Sequence, residues 1–78
     1  MSMDEFVAWV ARELVDAPDE VSVERVELDD AVVLRLHVAQ EDIGKVIGRQ
    51  GRMARALRAV VRTASARSDT RLLLEIAE

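Results

Sequence analysis

The sequence predicts an α+β fold with the element order helix, strand, strand, helix, helix, strand. Two observations lead to this prediction. Apolar residues recur at helical spacing in three segments and alternate with period two in three others. In addition, all three glycines of the 78-residue chain fall between positions 44 and 51, where the second helical segment gives way to the third. This placement predicts a tight turn between two helices near the middle of the chain.

The first helix is predicted from an amphipathic pattern near the start of the chain. Its apolar residues fall at i, i+3, i+4, i+7, i+8 and i+11, and they are Met3, Phe6, Val7, Val10, Ala11 and Leu14. Ser2 or Asp4 can cap its start, and Asp16-Ala17-Pro18 ends it. Trp9 lies beside the apolar face, so we expect it at the edge of the core or against a partner.

Two strands joined by a turn follow the first helix. The first strand carries Val21, Val23, Val26 and Leu28. The alternation of apolar and polar residues shifts by one position at Glu24-Arg25, which predicts a β-bulge. Asp29-Asp30 form the turn, and the core face of the second strand carries Val32, Leu34, Leu36 and Val38. His37 falls on the opposite face, where we expect a solvated residue without a functional role.

The remaining elements are two helices of unequal length and a last strand. The shorter helix, about Glu41 to Ile47, is expected to bury Ile43, Val46 and Ile47. The longer one, roughly Arg52 to Ala66, has an apolar face of Met53, Leu57, Val60, Val61 and Ala64. From its other face project Arg55, Arg58 and Arg62, which either are solvated or contact a ligand. The last strand alternates through Leu72, Leu74 and Ile76.

Charge is distributed unevenly along the chain. The net charge is −4, which argues against a general nucleic-acid binder. Residues 43 to 67, however, hold seven basic residues and no acid, whereas the rest of the chain holds fifteen acids and four bases. A basic patch on an acidic body favours short, specific contacts over indiscriminate coating of nucleic acid.

The four residues Gly48-Arg49-Gln50-Gly51 have the chemistry of an anion site. Glycine permits positive φ and close backbone approach. A turn of this kind that leads into a helix presents free N–H groups to an anion, and Arg49 and Arg52 add positive charge. The glycine spacing is a weak signal alone, because it also fits a plain helix cap and turn. The anion that the basic surroundings favour is a nucleic-acid phosphate.

In its context of two short helices flanked by strands, Val46-Ile47-Gly48-Arg49-Gln50-Gly51 resembles the GXXG loop of a KH domain, which clamps about four nucleotides. The run from Gly44 to Gly51 is similar to that of the short bacterial single-KH RNA-binding proteins of the KhpA type. This resemblance covers essentially the whole chain. It implies a type II, prokaryotic KH arrangement in residues 1–78, in which helices cover one face of a three-stranded sheet.

The resemblance also implies a function and a site. It implies a non-catalytic protein that clamps single-stranded RNA, as an RNA chaperone or post-transcriptional regulator. It implies a homodimer, or a heterodimer with a larger multidomain KH protein. Gly44 and one exposed aliphatic edge of the shorter helix would line a groove that binds the bases, and the edge of the last strand, around Thr70 to Leu72, would form its opposite wall. The candidate RNA-binding residues are Gly44, Lys45, Ile47, Gly48, Arg49, Gln50, Gly51 and Arg52. One position departs from many KH domains, which carry a large aliphatic residue where this chain has Ala54.

Other functions have less support in the sequence. With one histidine, no cysteine and acidic pairs that turns and helix starts explain, we expect no catalysis, metal or cofactor. An acidic start and the lack of a membrane-length apolar run lead us to expect a cytoplasmic protein. Two alternatives stay open. One is a helix-turn-helix DNA binder that reads DNA with residues 52–62. The other is a protein-interaction module with weak RNA affinity.

Overall fold

A computed structural model describes all residues, Met1–Glu78, and has the predicted order of elements. The helices are α1 (Met3–Leu14), α2 (Ile43–Ile47) and α3 (Arg52–Ala66), and the strands are β1 (Ser22–Glu27), β2 (Val32–His37) and β3 (Leu72–Ile76). Single 3-10 turns at Pro18–Glu20, Gln40–Asp42 and Arg49–Gly51 complete the path. The chain therefore folds as an α+β domain of the type II KH arrangement.

Helix α1 begins where its cap residues require. The Ser2 hydroxyl accepts a hydrogen bond from the Glu5 N–H at 3.1 Å, and the Glu5 carboxylate accepts one from the Ser2 N–H at 2.8 Å. This reciprocal capping box satisfies two N–H groups that the helix itself leaves free. The helix ends at Leu14, four residues before Pro18. Of the two predicted caps, Ser2 is the one used.

The three strands form one sheet in the order β1-β2-β3. Strand β2 lies in the centre, antiparallel to β1 and parallel to β3. The bulge predicted at Glu24-Arg25 is wrong, because β1 and β2 pair without interruption from Ser22–His37 to Glu27–Val32. The apparent change of phase has another cause. Val23 pairs with the buried Leu36, whereas Val26 belongs to the opposite face of the same regular strand.

The core lies between one face of the sheet and the three helices. It comprises Val7, Ala8, Ala11, Val21, Leu36, Val46, Ala54, Leu57, Val61 and Ile76. Leu34 is also fully buried in the central strand. The other face of the sheet carries pairs of polar and charged side chains. Arg35 lies 3.0 Å from Glu75, and His37 lies 3.1 Å from Glu24. His37 is therefore on the face away from the core, as predicted.

The apolar faces predicted for the helices are correct in outline and differ in detail. Val60 is 41% exposed, so its assignment to the core is wrong, and the smaller Ala54 is buried instead. The buried face of α3 is centred on Leu57 and Val61. Val60 comes one residue before Val61, about 100° away around the helix, and therefore lies on the side of α3 that adjoins Met3 rather than on the side that faces the sheet. None of the helices combines the length and apolar character needed to cross a membrane.

Candidate nucleic-acid interface

The backbone between α2 and α3 takes a conformation that its glycines make possible. Gly48 has φ +79° and ψ +171°, a region that is essentially restricted to glycine. Gly51 has φ +74°, and Gln50 between them is left-handed at φ +57°. A Cβ atom on Gly48 would lie 2.8 Å from the Cβ of Met53 and 2.9 Å from its amide nitrogen. Gly48 thus lets the loop fold back onto the first turn of α3.

The N-terminal end of α3 has no cap from a side chain. Its N-cap residue is Gly51, no side chain hydrogen-bonds to the free amides, and the first turn contains no acid. Helix α1 differs in every respect, since its first turn holds Asp4 and Glu5 and a complete capping box. The positive end of the α3 dipole is therefore left for an external anion.

The side chains at the tip of the loop are open to solvent. Arg49, Gln50 and Arg52 are all exposed. The Arg52 guanidinium donates to the Gln50 side-chain oxygen at 3.2 Å, which holds the two side chains on the same side of the loop. Neither Arg49 nor Arg52 forms an ion pair with a carboxylate. Two guanidinium groups therefore lie beside the uncapped helix end.

Helix α2 supplies one wall beside the loop. Nothing lies within 4 Å of the position that a Cβ on Gly44 would occupy, so this stretch of the helix is open. Ile47, one turn later, is only partly buried, while Val46 between them is fully buried. Ile43 is partly buried as well. The sequence correctly predicts Val46 in the core, and it overstates the burial of Ile43 and Ile47.

Lys45 is the one candidate whose side chain is occupied elsewhere. Its ammonium lies 3.2 Å from the Asp16 carboxylate and 3.5 Å from that of Asp42. The hydrogen bond and charge of Asp16 raise the pKa of Lys45. The structure thus brings the loop residues 48–52 together and directs the charge of Lys45 toward the end of α1.

Arginines without ion-pair partners are concentrated on one part of the molecule. Of the eleven lysines and arginines, only Arg25, Arg35 and Lys45 are paired with carboxylates. All the others except Arg12 lie between residues 49 and 71. Apart from Arg12, the basic residues outside this range are paired with acids, whereas those of α3 and its flanking loops are not. This distribution favours an anionic partner along α3.

A pocket between α3 and β3 collects three of these arginines. It has a volume of about 250 Å³ and is lined by Arg58, Val61, Arg62, Ser65, Arg71, Leu72, Leu73 and Leu74. Sequence analysis left Arg58 and Arg62 open and missed Arg71. The strand edge expected around Thr70 to Leu72 is the only sequence feature that points to this region. The position of Arg71 beside α3 follows from the parallel pairing of β2 with β3, which the sequence does not show.

Comparison with known proteins identifies the family of this fold and loop. Residues 4–76 match the family model described as the KhpA/KhpB KH domain. The chain belongs to the KhpA/KhpB family of KH domains. A protein named RNA-binding protein KhpA from Clostridium acetobutylicum is 45% identical over 74 residues, which cover 95% of this chain and 99% of the relative.

Other members of the KhpA group show similar identity. The protein of the same name from Treponema pallidum is 48% identical, over 94% of this chain and 91% of the relative. That from Chlamydia pneumoniae is 40% identical over 97% of both. No solved structure matches the chain significantly. Membership of this KH family, together with the packing of α3 on β3, argues against the helix-turn-helix alternative.

Two of the glycines, Gly44 in α2 and Gly48 at the start of the loop, should respond in opposite ways to the same substitution. Gly48→Ala should destabilise the protein by roughly 1–3 kcal/mol, because of its glycine-specific backbone and the contact with Met53. Gly44→Ala should stabilise it by about 0.5–1 kcal/mol, since this helical position has free space. Urea denaturation of both variants measures these changes. Equal effects of the two substitutions would contradict the loop geometry described above.

The buried carboxylate of Asp42 predicts a pH dependence of stability. Burial alone would raise the pKa of Asp42, but N–H donors from Ala17 and Asp16, with Lys45 nearby, outweigh burial and lower it below its ordinary 3.8. A lowered pKa contributes stability that is present above the ordinary value and is lost as the pH falls through the folded one.

We therefore expect Asp42→Asn to unfold at a lower temperature than wild type at neutral pH. The difference in melting temperature should shrink as the pH falls below 3.8. Thermal melts of both proteins across this range, followed by circular dichroism, provide the measurement. A difference that stays constant from neutral to acid pH would mean that the charge of Asp42 does not stabilise the fold.

Proposed function

We propose that this protein is a non-catalytic RNA-binding protein, a single KH domain of residues 1–78 that holds single-stranded RNA in the cytoplasm as an RNA chaperone or post-transcriptional regulator. The observation that carries the proposal is the uncapped N-terminal end of α3 behind an exposed glycine loop with unpaired arginines. The names of the relatives, which are RNA-binding proteins, support the choice of RNA as the anion.

We assign the RNA-binding segment to residues 44–52. Phosphates bind the loop and its side chains, and bases rest along the open wall of α2. The residues of this segment are Gly44, Lys45, Ile47, Gly48, Arg49, Gln50, Gly51 and Arg52. The aliphatic side chains along α2 can contact bases only when the bases are unpaired and turned outward, so we expect a preference for single-stranded RNA.

The RNA strand continues from the loop toward the pocket between α3 and β3. Arg58, Arg62 and Arg71 supply only donors there, and Leu72 and Leu74 supply apolar contact. Guanidinium planes stack on bases and donate to their acceptor edges. This arrangement favours RNA contact by Arg58 and Arg62 over simple solvation. The wall that the sequence leads us to expect at Thr70 to Leu72 becomes part of the same path.

A second proposal concerns self-association. We infer that a groove between α1 and α3 binds a second copy of the chain or the KH domain of a larger protein. The groove has a volume of about 500 Å³ and is lined by Met3, Ala59, Val60, Thr63, Ala64 and Arg67. Val60 is 41% exposed within it and lies beside Met3, Ala59 and Ala64, and a contiguous exposed apolar patch of this kind marks an interaction site. Trp9, 52% exposed on α1, lies outside the lining of the groove and is a separate candidate contact.

Replacing both loop-tip side chains with aspartate should abolish RNA binding and leave the fold intact. Arg49→Asp together with Gln50→Asp places two carboxylates where phosphate is proposed to lie. Aspartate tolerates the left-handed conformation of Gln50, so the loop should keep its shape. Affinity for a single-stranded RNA, measured against salt, should fall and its log–log slope should flatten by about 0.7 for each lost phosphate contact.

The chain offers a control with the same change of charge for this experiment. Arg12 is an exposed arginine without an ion pair on α1, and Gln40 is the other glutamine of the chain. Arg12→Asp with Gln40→Asp should retain most of the affinity. If the loop variant is folded and binds RNA as tightly as wild type, the GXXG loop is not the site, and the protein-interaction module becomes the better interpretation.

Self-association should depend on the α1–α3 groove. Val60→Asp places a charge in the apolar lining and should give a monomer at protein concentrations where wild type sediments as a dimer. Leu28→Asp is the matched control, because Leu28, which directly follows β1, is 53% exposed and does not line the groove, so this change should leave the dimer unchanged. Analytical ultracentrifugation of wild type and both variants over a range of protein concentrations measures the fraction of dimer in each. A wild-type protein that is monomeric throughout would refute self-association.

A further inference from the structure

Asp42 is the only charged side chain that the fold buries, at 2% exposure. It occupies the N-cap position of α2 but makes no capping bond to that helix. One carboxylate oxygen instead accepts from the Asp16 N–H at 3.2 Å, and the other accepts from the Ala17 N–H at 3.0 Å. These residues belong to the connection between α1 and β1, so Asp42 fastens the start of α2 to a segment 25 residues earlier in the chain.

Lys45 completes this arrangement on the solvent side. Its ammonium bridges the exposed carboxylate of Asp16 and the buried one of Asp42, at 3.2 and 3.5 Å. Lys45 lies about 100° around α2 from Gly44, on the flank toward α1 rather than on the open wall. Its charge therefore offsets that of Asp42, which would otherwise be buried with N–H donors alone.

Asp42 and its hydrogen bonds to Asp16 and Ala17 are separated from the RNA-binding loop by the short helix α2 alone. Helix α2 has five residues, and the Gly48 N–H donates to the Gly44 carbonyl at 2.9 Å, so the loop begins inside the last turn of α2. A helix this short has little stability of its own, and its direction depends on tertiary contacts. A shift at Asp42 would therefore be transmitted to Gly48.

We propose that Asp42 is a positioning residue for the RNA-binding loop and that Lys45 acts through Asp42 and Asp16 rather than on phosphate. The inference rests on the proposed RNA function and assigns a distinct role to two residues within it. The competing account is that Lys45 leaves Asp16 to bind phosphate when RNA arrives. The two accounts differ in the salt dependence of binding, because only a cation that neutralises phosphate releases counterions.

The first test compares two substitutions that remove one positive charge each. Lys45→Met keeps the aliphatic stem, should weaken RNA binding at every salt concentration and should leave the log–log slope as in wild type. Arg49→Met should weaken binding and flatten the slope by about 0.7. Lys45→Arg restores the charge and should restore the affinity. The proposal is overturned if Lys45→Met flattens the slope as Arg49→Met does, or binds as tightly as wild type.

A second variant separates competition from positioning. Asp16→Asn removes the exposed carboxylate that holds Lys45 and leaves Asp42 in place. If Lys45 only positions the loop, RNA binding should be unchanged or weaker. If Lys45 instead leaves Asp16 to bind phosphate, the freed lysine should give tighter binding with a steeper log–log slope. Asp19→Asn removes another exposed acid of the same connection and serves as the control for net charge. Tighter binding by Asp16→Asn than by Asp19→Asn would overturn the proposal.

A third test reads the loop directly and needs no RNA. The chain has only three glycines, at 44, 48 and 51, so glycine amide signals in a ¹H–¹⁵N spectrum report on α2 and the loop alone. Asp42→Asn should shift the signals of Gly48 and Gly51 in the free, folded protein. Leu34→Val, a change at the buried centre of β2 outside the core cluster that contains Val46 and Ala54, should lower the melting temperature without shifting them or weakening RNA binding.

These spectra distinguish failure of the inference from failure of the proposed function. If wild type binds no RNA, the glycine signals still show whether Asp42 positions the loop. Unmoved glycine signals in Asp42→Asn, with RNA affinity as in wild type, would contradict the positioning role. If Asp42→Asn does not fold, the Lys45 and Asp16 variants decide the question, because both changes lie at exposed side chains.

Discussion

The close approach of Gly48 to Met53 is the contact on which the rest of the site depends. Because Gly48 has no side chain, its backbone lies against the first turn of α3 at a φ that other residues avoid. The loop is thereby held across the start of α3, and this helix end, which no side chain caps, lies beside the exposed Arg49 and Arg52. The same contact fixes the end of α2 against the first turn of α3.

Charge separation makes this small acidic protein suitable for an anionic partner. Carboxylates pair with the basic residues of the sheet and of α2, as in Arg35 with Glu75 and Lys45 with Asp16. The arginines of α3 receive no such partner. Surface ion pairs contribute little to stability, so the consequence of this arrangement is mainly the shape of the electrostatic field. The field directs an anion to one helix and repels it from the remaining surface.

Much of this architecture can be predicted from the sequence because its signals are local. The period of Leu72, Leu74 and Ile76, the grouping of glycines and the bounds of α3 depend on neighbours in the chain, and all three predictions are confirmed. The errors come from distant contacts. The valines of β1 suggest a bulge because they lie on both faces of one regular strand. Val60 has the spacing of a core residue, but the side of α3 that packs on the sheet is the one with Leu57 and Val61.

The least predictable parts of the site are pairs far apart in sequence. Arg71 and Arg58 line the same pocket because β3 pairs in parallel with β2. The Asp42 carboxylate accepts a hydrogen bond from the Asp16 N–H because the fold brings the start of α2 to the connection after α1. No periodicity reveals such contacts. The sequence therefore identifies which residues belong to the loop, and only the fold shows which distant residues lie beside them.

Titration of the ¹⁵N-labelled protein with a short single-stranded RNA, followed by ¹H–¹⁵N spectra, tests the central claim most directly. The account predicts that the largest changes occur at the amides of residues 48–52, with smaller changes along α3 and β3 near Arg71. The amides of Glu24, Arg35 and Glu75, which share the outer face of the sheet, should not change. Changes concentrated on that outer face or on α1, with the loop unaffected, would contradict the account.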